Sequence, residues 1–155
     1  MSNPSLLLRV PPPLQYAAFF GAGMLLDRLI AWSPAWMQSN AAQWAGGVLL
    51  VSAALLFLTS LGLLLINRTT VVPHARPSRL VTSGPFTLSR NPIYIAFTAA
   101  YCGAVLLLAR VWPLLLLPAP LAIIDRVFIP FEEGQLRQIF GDRYADYCRR
   151  VRRWL

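Results

Sequence analysis

The chain has 155 residues, is 57% hydrophobic with 13% charged residues, and carries a formal net charge of +8. A soluble globular domain averages about 25% charged residues, so a chain this apolar, with mean hydropathy +0.56, is read as one helical membrane domain over residues 1–155. All fourteen basic residues are arginine, but no basic stripe carries interleaved aromatics, so nucleic acid is not an expected partner. Membrane lipids are.

In chain order, Pro11, Pro12 and Pro13 stand where the apolar run of a signal peptide would begin, so none is expected. Residues 14–32 form a first apolar stretch that carries Asp27 and Arg28 near its far end. Residues 33–43 are uncharged and read as external. Residues 44–66 run 23 positions without a charge, and a spanning helix needs about 20. Gly46, Gly47 and Gly62 within it suit close helix packing. Residues 67–91 carry Arg68, Arg76, Arg79 and Arg90 and read as cytoplasmic, because arginine marks cytoplasmic loops. Residues 93–109 are a third apolar run. Arg110 then allows only a tight antiparallel hairpin into residues 111–131, where Pro113, Pro118, Pro120 and Pro130 predict a bent helix.

The remaining tail is not a span. Leu136, Phe140, Tyr144, Tyr147, Val151 and Trp154 recur at steps of three or four, the pattern of an amphipathic helix. Arg137, Arg143, Arg149, Arg150, Arg152 and Arg153 occupy its other faces and place it in the cytoplasm. Such a helix either lies on anionic lipid or folds back over the mouth of the bundle. The expected fold is therefore all-α: about four transmembrane helices plus a C-terminal amphipathic cytoplasmic helix, with both termini cytoplasmic. Residues 1–66 hold the first two spans, 67–92 a cytoplasmic loop, 93–131 a helical hairpin and 132–155 the tail helix.

Polar chemistry concentrates in that loop and tail. Gly84-Pro85 makes a turn, and Asn91-Pro92 opens the third helix. Arg90 therefore sits at a helix N-terminus, where backbone N–H groups and the dipole favour anions. It either holds a carboxylate or phosphate or snorkels to headgroups. Glu132 and Glu133 either complement the dipole of the tail helix or bind a cationic ligand. Adjacent residues on a helix point in different directions, so Asp27-Arg28 and Asp125-Arg126 are each expected to split between separate partners or to reach the interface. His74, the single histidine, is a ligand contact or a solvated loop residue. One histidine with Cys102 and Cys148 makes no zinc pattern, and neither a metal nor a disulfide is expected.

Four segments in this order carry a resemblance: Leu80-Val81-Thr82-Ser83-Gly84-Pro85-Phe86; Ser89-Arg90-Asn91-Pro92-Ile93-Tyr94; Glu132-Glu133; and Phe140-Gly141 with Tyr144, Tyr147 and Val151. Together they resemble the isoprenylcysteine carboxyl methyltransferase family and the related membrane phospholipid N-methyltransferases. The resemblance covers residues 70–155. It implies a membrane methyltransferase with S-adenosylmethionine as cofactor, bound at the cytoplasmic face, and a lipophilic or amphiphilic acceptor.

The same resemblance implies residue roles. Leu80, Val81 and Gly84 would pack on the adenosine; Asn91, Pro92 and Tyr94 would hold the methionine part; Glu132 or Glu133 would pair its ammonium; Arg90 and His74 complete the cofactor set. Asn91 stands where eukaryotic members have His, and asparagine does not titrate near neutral pH. A carboxylate acceptor needs no base, and Arg90 or Arg150 would orient it. An amine acceptor must lose a proton, which Glu133 or Glu132 would take. Arg90, Glu133 and Arg150 are the expected catalytic residues. Two other readings stand beside it: an NADPH-dependent sterol-reductase-like membrane reductase, whose cofactor half bears a distant similarity to this family, and a non-enzymatic membrane scaffold. The alanine-rich, lysine-free composition suggests a bacterial inner membrane.

Overall fold

The computed structural model describes residue 8 and residues 10–70 and 77–155. Among the described residues every regular element is helical. Helix α1 spans Pro12–Leu29, α2 Asn40–Ile66, α3 Pro92–Leu108, α4 Val111–Leu116, α5 Pro118–Ile123 and α6 Ile129–Arg150. Short 3₁₀ turns occupy Ala35–Gln38 and Gly84–Thr87.

Prolines and small polar residues set the helix starts. Pro12 and Pro92 occupy first-turn positions of α1 and α3, where a missing N–H costs nothing. Ser39 caps α2 by accepting the Ala42 N–H at 3.2 Å, satisfying one of the four orphan donors. The hairpin from α3 to α4 turns at Ala109, whose φ is 50°. Ser33 donates to the Ala109 carbonyl at 2.7 Å and fastens the turn. The bend expected after residue 111 takes the form of an interruption at Leu117, between α4 and α5, followed by a wide π-type turn over Ile124–Phe128.

Two helical runs are long and apolar enough to cross a membrane, Asn40–Ile66 and Val111–Arg150; α3 is a shorter apolar helix. At 1.5 Å per residue α2 is about 40 Å long, more than a hydrocarbon core of about 30 Å. Its exposed face bears Trp44, Val48, Val51, Leu55 and Leu58, at steps of three and four. In water such a stripe would be an aggregation hazard. Against lipid tails it carries no cost.

The other face of α2 packs on α3, antiparallel. Gly46 and Gly103 permit the close crossing: a Cβ added at Gly46 would stand 2.8 Å from the Gly103 carbonyl oxygen, and one at Gly103 equally close to that of Gly46. Gly47 and Gly62 face open space, so of the three glycines noted in the sequence only Gly46 serves packing. Helix α1 lies against α4, where a Cβ at Gly23 would fall 2.5 Å from Pro113 Cα.

Charges sit at the two ends of the bundle. At one end Asp27 pairs with Arg110 at 2.5 Å. At the other, Asp125 accepts from Arg153 Nη1 at 3.4 Å and from the Trp154 indole at 3.0 Å. Both aspartates thus find partners other than their sequence neighbours, as helix geometry requires. Cys102 and Cys148 are free.

The tail departs from the expected single helix. Gly141 breaks it with φ 48° and ψ −122°, and helix ends at Arg150. Val151 is extended, with φ −124° and ψ 130°. The last residues leave the helical phase and lie against the segment that precedes α3.

Candidate active site

The loop before α3 is built to receive the C-terminus. Arg90 N–H donates to the Arg152 carbonyl at 2.9 Å. The Ser89 hydroxyl donates to the Arg153 carbonyl at 2.9 Å, and the Asn91 side-chain amide donates to the same oxygen at 3.0 Å. Ser89 Oγ also accepts the Asn91 N–H at 3.0 Å. The buried Tyr147 of α6 donates to the Phe86 carbonyl at 2.6 Å. Four of these hydrogen bonds join residues 86–91 to the tail, and the folded-back arrangement is the one found.

Between these parts and the adjoining helix ends lies a cavity of about 490 Å³, within the usual size of a small-molecule site. Its wall brings together Leu80, Val81, Arg90, Asn91, Pro92, Tyr94, Glu132 and Glu133. Eight residues singled out in the sequence therefore share one space. Phe86, Tyr144 and Tyr147 add aromatic surface, and Arg79 stands exposed at the rim.

Two expected residues lie elsewhere. Gly84 is not among the wall residues; it turns the chain at φ 58° against Leu63, whose Cδ1 would stand 2.6 Å from an added Cβ. Arg150 is exposed on α6, its Nε 3.4 Å from the Asp146 carbonyl. It shares the outward stripe with Asp146, while Tyr144 and Tyr147 take the inward one. His74 lies outside the described residues.

The two glutamates have unlike surroundings. Glu133 is buried and taken up by cations: Arg90 Nη1 lies 3.2 Å from Oε1, and Arg153 reaches Oε1 with Nε at 3.2 Å and Oε2 with Nη2 at 2.9 Å. A carboxylate so engaged is fixed in place and neutralised. Glu132 forms no ion pair among the described residues. It takes one hydrogen bond, from the Tyr94 hydroxyl at 2.6 Å. Burial, opposed by that bond, pushes its carboxyl up to about 7. The charge of Glu133 beside it is a smaller part of the same rise. Charge repulsion between adjacent acids and desolvation act in the same direction.

Arg153 is the residue that periodicity missed. In a continued helix it would fall among the outward arginines; because the chain straightens at Val151, it turns back onto Glu133. Arg90 is nearly buried, and its Nε has no hydrogen-bond partner among the described residues. Its Nη1 meets Glu133 and also contacts Cys148. A buried donor without a partner costs about 1–3 kcal/mol, a deficit that a bound acceptor would relieve.

The phospholipid methyltransferase family model matches residues 41–143, a stretch that includes the loop before α3 and both glutamates. No curated protein and no solved structure matches the chain.

Proposed function

The chain belongs to the phospholipid methyltransferase family, and from that premise we propose that it is an integral membrane methyltransferase that uses S-adenosylmethionine. The observation that carries this reading is Glu132: a carboxylate on the cavity wall, held by one hydroxyl and matched to no cation among the described residues. A site for a ligand ammonium needs such a group. The donor set fits the rest of the cofactor. Arg90, with its unsatisfied Nε, suits a carboxylate. Leu80, Val81 and Phe86 offer apolar surface for a nucleoside.

When bound, S-adenosylmethionine supplies an electrophilic methyl group. The protein's part is positioning and exclusion of water, the main sources of rate in an in-line displacement. Tyr94 orients Glu132; Arg153 and Arg90 hold Glu133 and, through it, the start of α6 against the loop. If the methyl acceptor is an amine, it must lose a proton, and the wall carboxylates Glu132 and Glu133 are the groups that would take it. A carboxylate acceptor would need no base. We further propose that α1, α2, α3 and residues 111–131 make four spans of one domain, with both termini and the cavity on the cytoplasmic side. The acceptor is a lipophilic or amphiphilic small molecule reached from the bilayer.

Isothermal titration of the purified protein in detergent tests the cofactor. Heat with S-adenosylmethionine and S-adenosylhomocysteine, and none with NADPH, is expected. Heat with NADPH alone would favour a reductase. No heat with any of the three, in folded protein, would leave a scaffold.

A further inference from the structure

A second hollow, of about 340 Å³, lies between α1 and α3. Pro13 and Phe97 line both it and the larger cavity, so the two adjoin. It runs along α1 from Pro13 to Gly21, about 12 Å of helix, within the apolar zone of the bundle. Its floor is aromatic. Tyr16 and Tyr101 stand with ring centroids 6.0 Å apart, and Phe20 meets Tyr101 edge-on at 5.1 Å. Small residues, Ala17 and Gly21 one helical turn apart on α1, keep it open. A Cβ at Gly21 would meet nothing within 4 Å.

Among the described residues the hollow offers no free polar group. The Tyr16 hydroxyl is bonded to Thr98 Oγ1 at 2.9 Å, and the Tyr101 hydroxyl donates to the Pro113 carbonyl at 2.7 Å. Its occupant is therefore apolar. At its inner end Phe97 lies 6.5 Å, ring to ring, from Tyr94, the residue that holds Glu132. An apolar surface thus leads from the side of the bundle towards Glu132, which has no cationic partner among the described residues. We infer that the hollow between α1 and α3 seats the hydrocarbon chain of the methyl acceptor, an amphiphile with a single extended tail, whose head lies in the larger cavity. The inference rests on the methyl-transfer reading for what the head does, and on the wall that the two spaces share at Pro13 and Phe97 for where the tail lies.

Photo-labelling in proteoliposomes tests it, with hexadecylamine and hexadecanoic acid each bearing a mid-chain diazirine. Label is expected on α1 and α3 at the hollow, to be competed by the unlabelled amphiphile, and to be lost in Gly21→Trp and in Ala17→Phe. Both side chains would project into open space, so each variant should keep the helical circular dichroism and cofactor heat of the parent. Label spread evenly over the exposed stripe of α2 and uncompeted would show bulk lipid only and overturn the inference. A hollow left unlabelled because a second copy of the chain covers it would overturn it too. Labelling without any S-adenosylmethionine heat would sink the methyl-transfer reading alone; heat without labelling would sink the chain site alone.

Discussion

Arg153 grips Glu133 with two guanidinium nitrogens, Nε at 3.2 Å and Nη2 at 2.9 Å, and this contact gives two adjacent glutamates different work. Glu133 becomes a structural anion shared with Arg90. Glu132, one residue earlier and on the cavity wall, has no cation among the described residues.

The first consequence concerns the glutamates singly. Glu132→Gln should weaken S-adenosylmethionine binding by about tenfold or more, the loss expected for one charge-assisted hydrogen bond, with little change in thermal unfolding. Glu133→Gln should act the other way round, lowering stability because two arginines lose their counter-charge. Titration calorimetry and circular-dichroism melting on both variants separate the effects. Equal binding losses would mean that the two carboxylates act as one site.

Two tail arginines make a paired test. Arg153→Ala should reduce stability by about 1.5 kcal/mol, at the low end for a charged hydrogen bond because the side chain is one-third exposed. It should weaken cofactor binding as well, since the tail then loses its hold on the loop. Arg150→Ala should stay within about 0.5 kcal/mol of the parent, as an exposed substitution does. If Arg150→Ala is the more harmful, the tail register described for residues 151–154 is wrong.

Binding should also depend on pH, in a direction fixed by Glu132. Its carboxyl in the folded protein titrates near 7, above the ordinary carboxylate range. An ammonium ligand needs the ionised form, so affinity should rise as pH rises through about 7, and the rise should vanish in Glu132→Gln. The stability term has the opposite sign. A carboxyl whose pKa is raised on folding stabilises the protein at low pH, and that contribution fades from the ordinary carboxylate range up to about 7. Calorimetry at a series of pH values, with parallel melting curves, checks both slopes.

The crossing of α2 and α3 gives a prediction independent of the site. Gly46→Val places a methyl-bearing carbon against the Gly103 carbonyl and should cost about 1–3 kcal/mol, as overpacking does. Gly47→Val faces open space and should cost far less. Unfolding in a mixed-detergent series measures the difference.

These contrasts also mark what the sequence could and could not tell. Helix α2 and the start of α3 at Pro92 were legible because uncharged length and an Asn-Pro junction are local signals. The hairpin at Ala109 was legible because Arg110 leaves no room for a longer turn. The grouping of Leu80, Val81, Arg90, Asn91, Pro92, Tyr94, Glu132 and Glu133 followed from resemblance, and the geometry places them on one wall. Arg153 was hidden because helical periodicity extends a pattern past the residue where the backbone leaves it. The division of labour between Glu132 and Glu133 was hidden because it depends on where two distant arginines end, which no local spacing encodes.

Methyl transfer to an amphiphile, in the cavity beside Glu132, is the activity proposed for this chain. Proteoliposomes supplied with methyl-labelled S-adenosylmethionine and a set of long-chain amines, carboxylates and thiols test it most directly. Label should appear in an organic-extractable product with the parent protein and be sharply reduced with Glu132→Gln. Transfer that proceeds equally well without the Glu132 carboxylate, or no transfer to any acceptor by protein that binds the cofactor, would contradict the account.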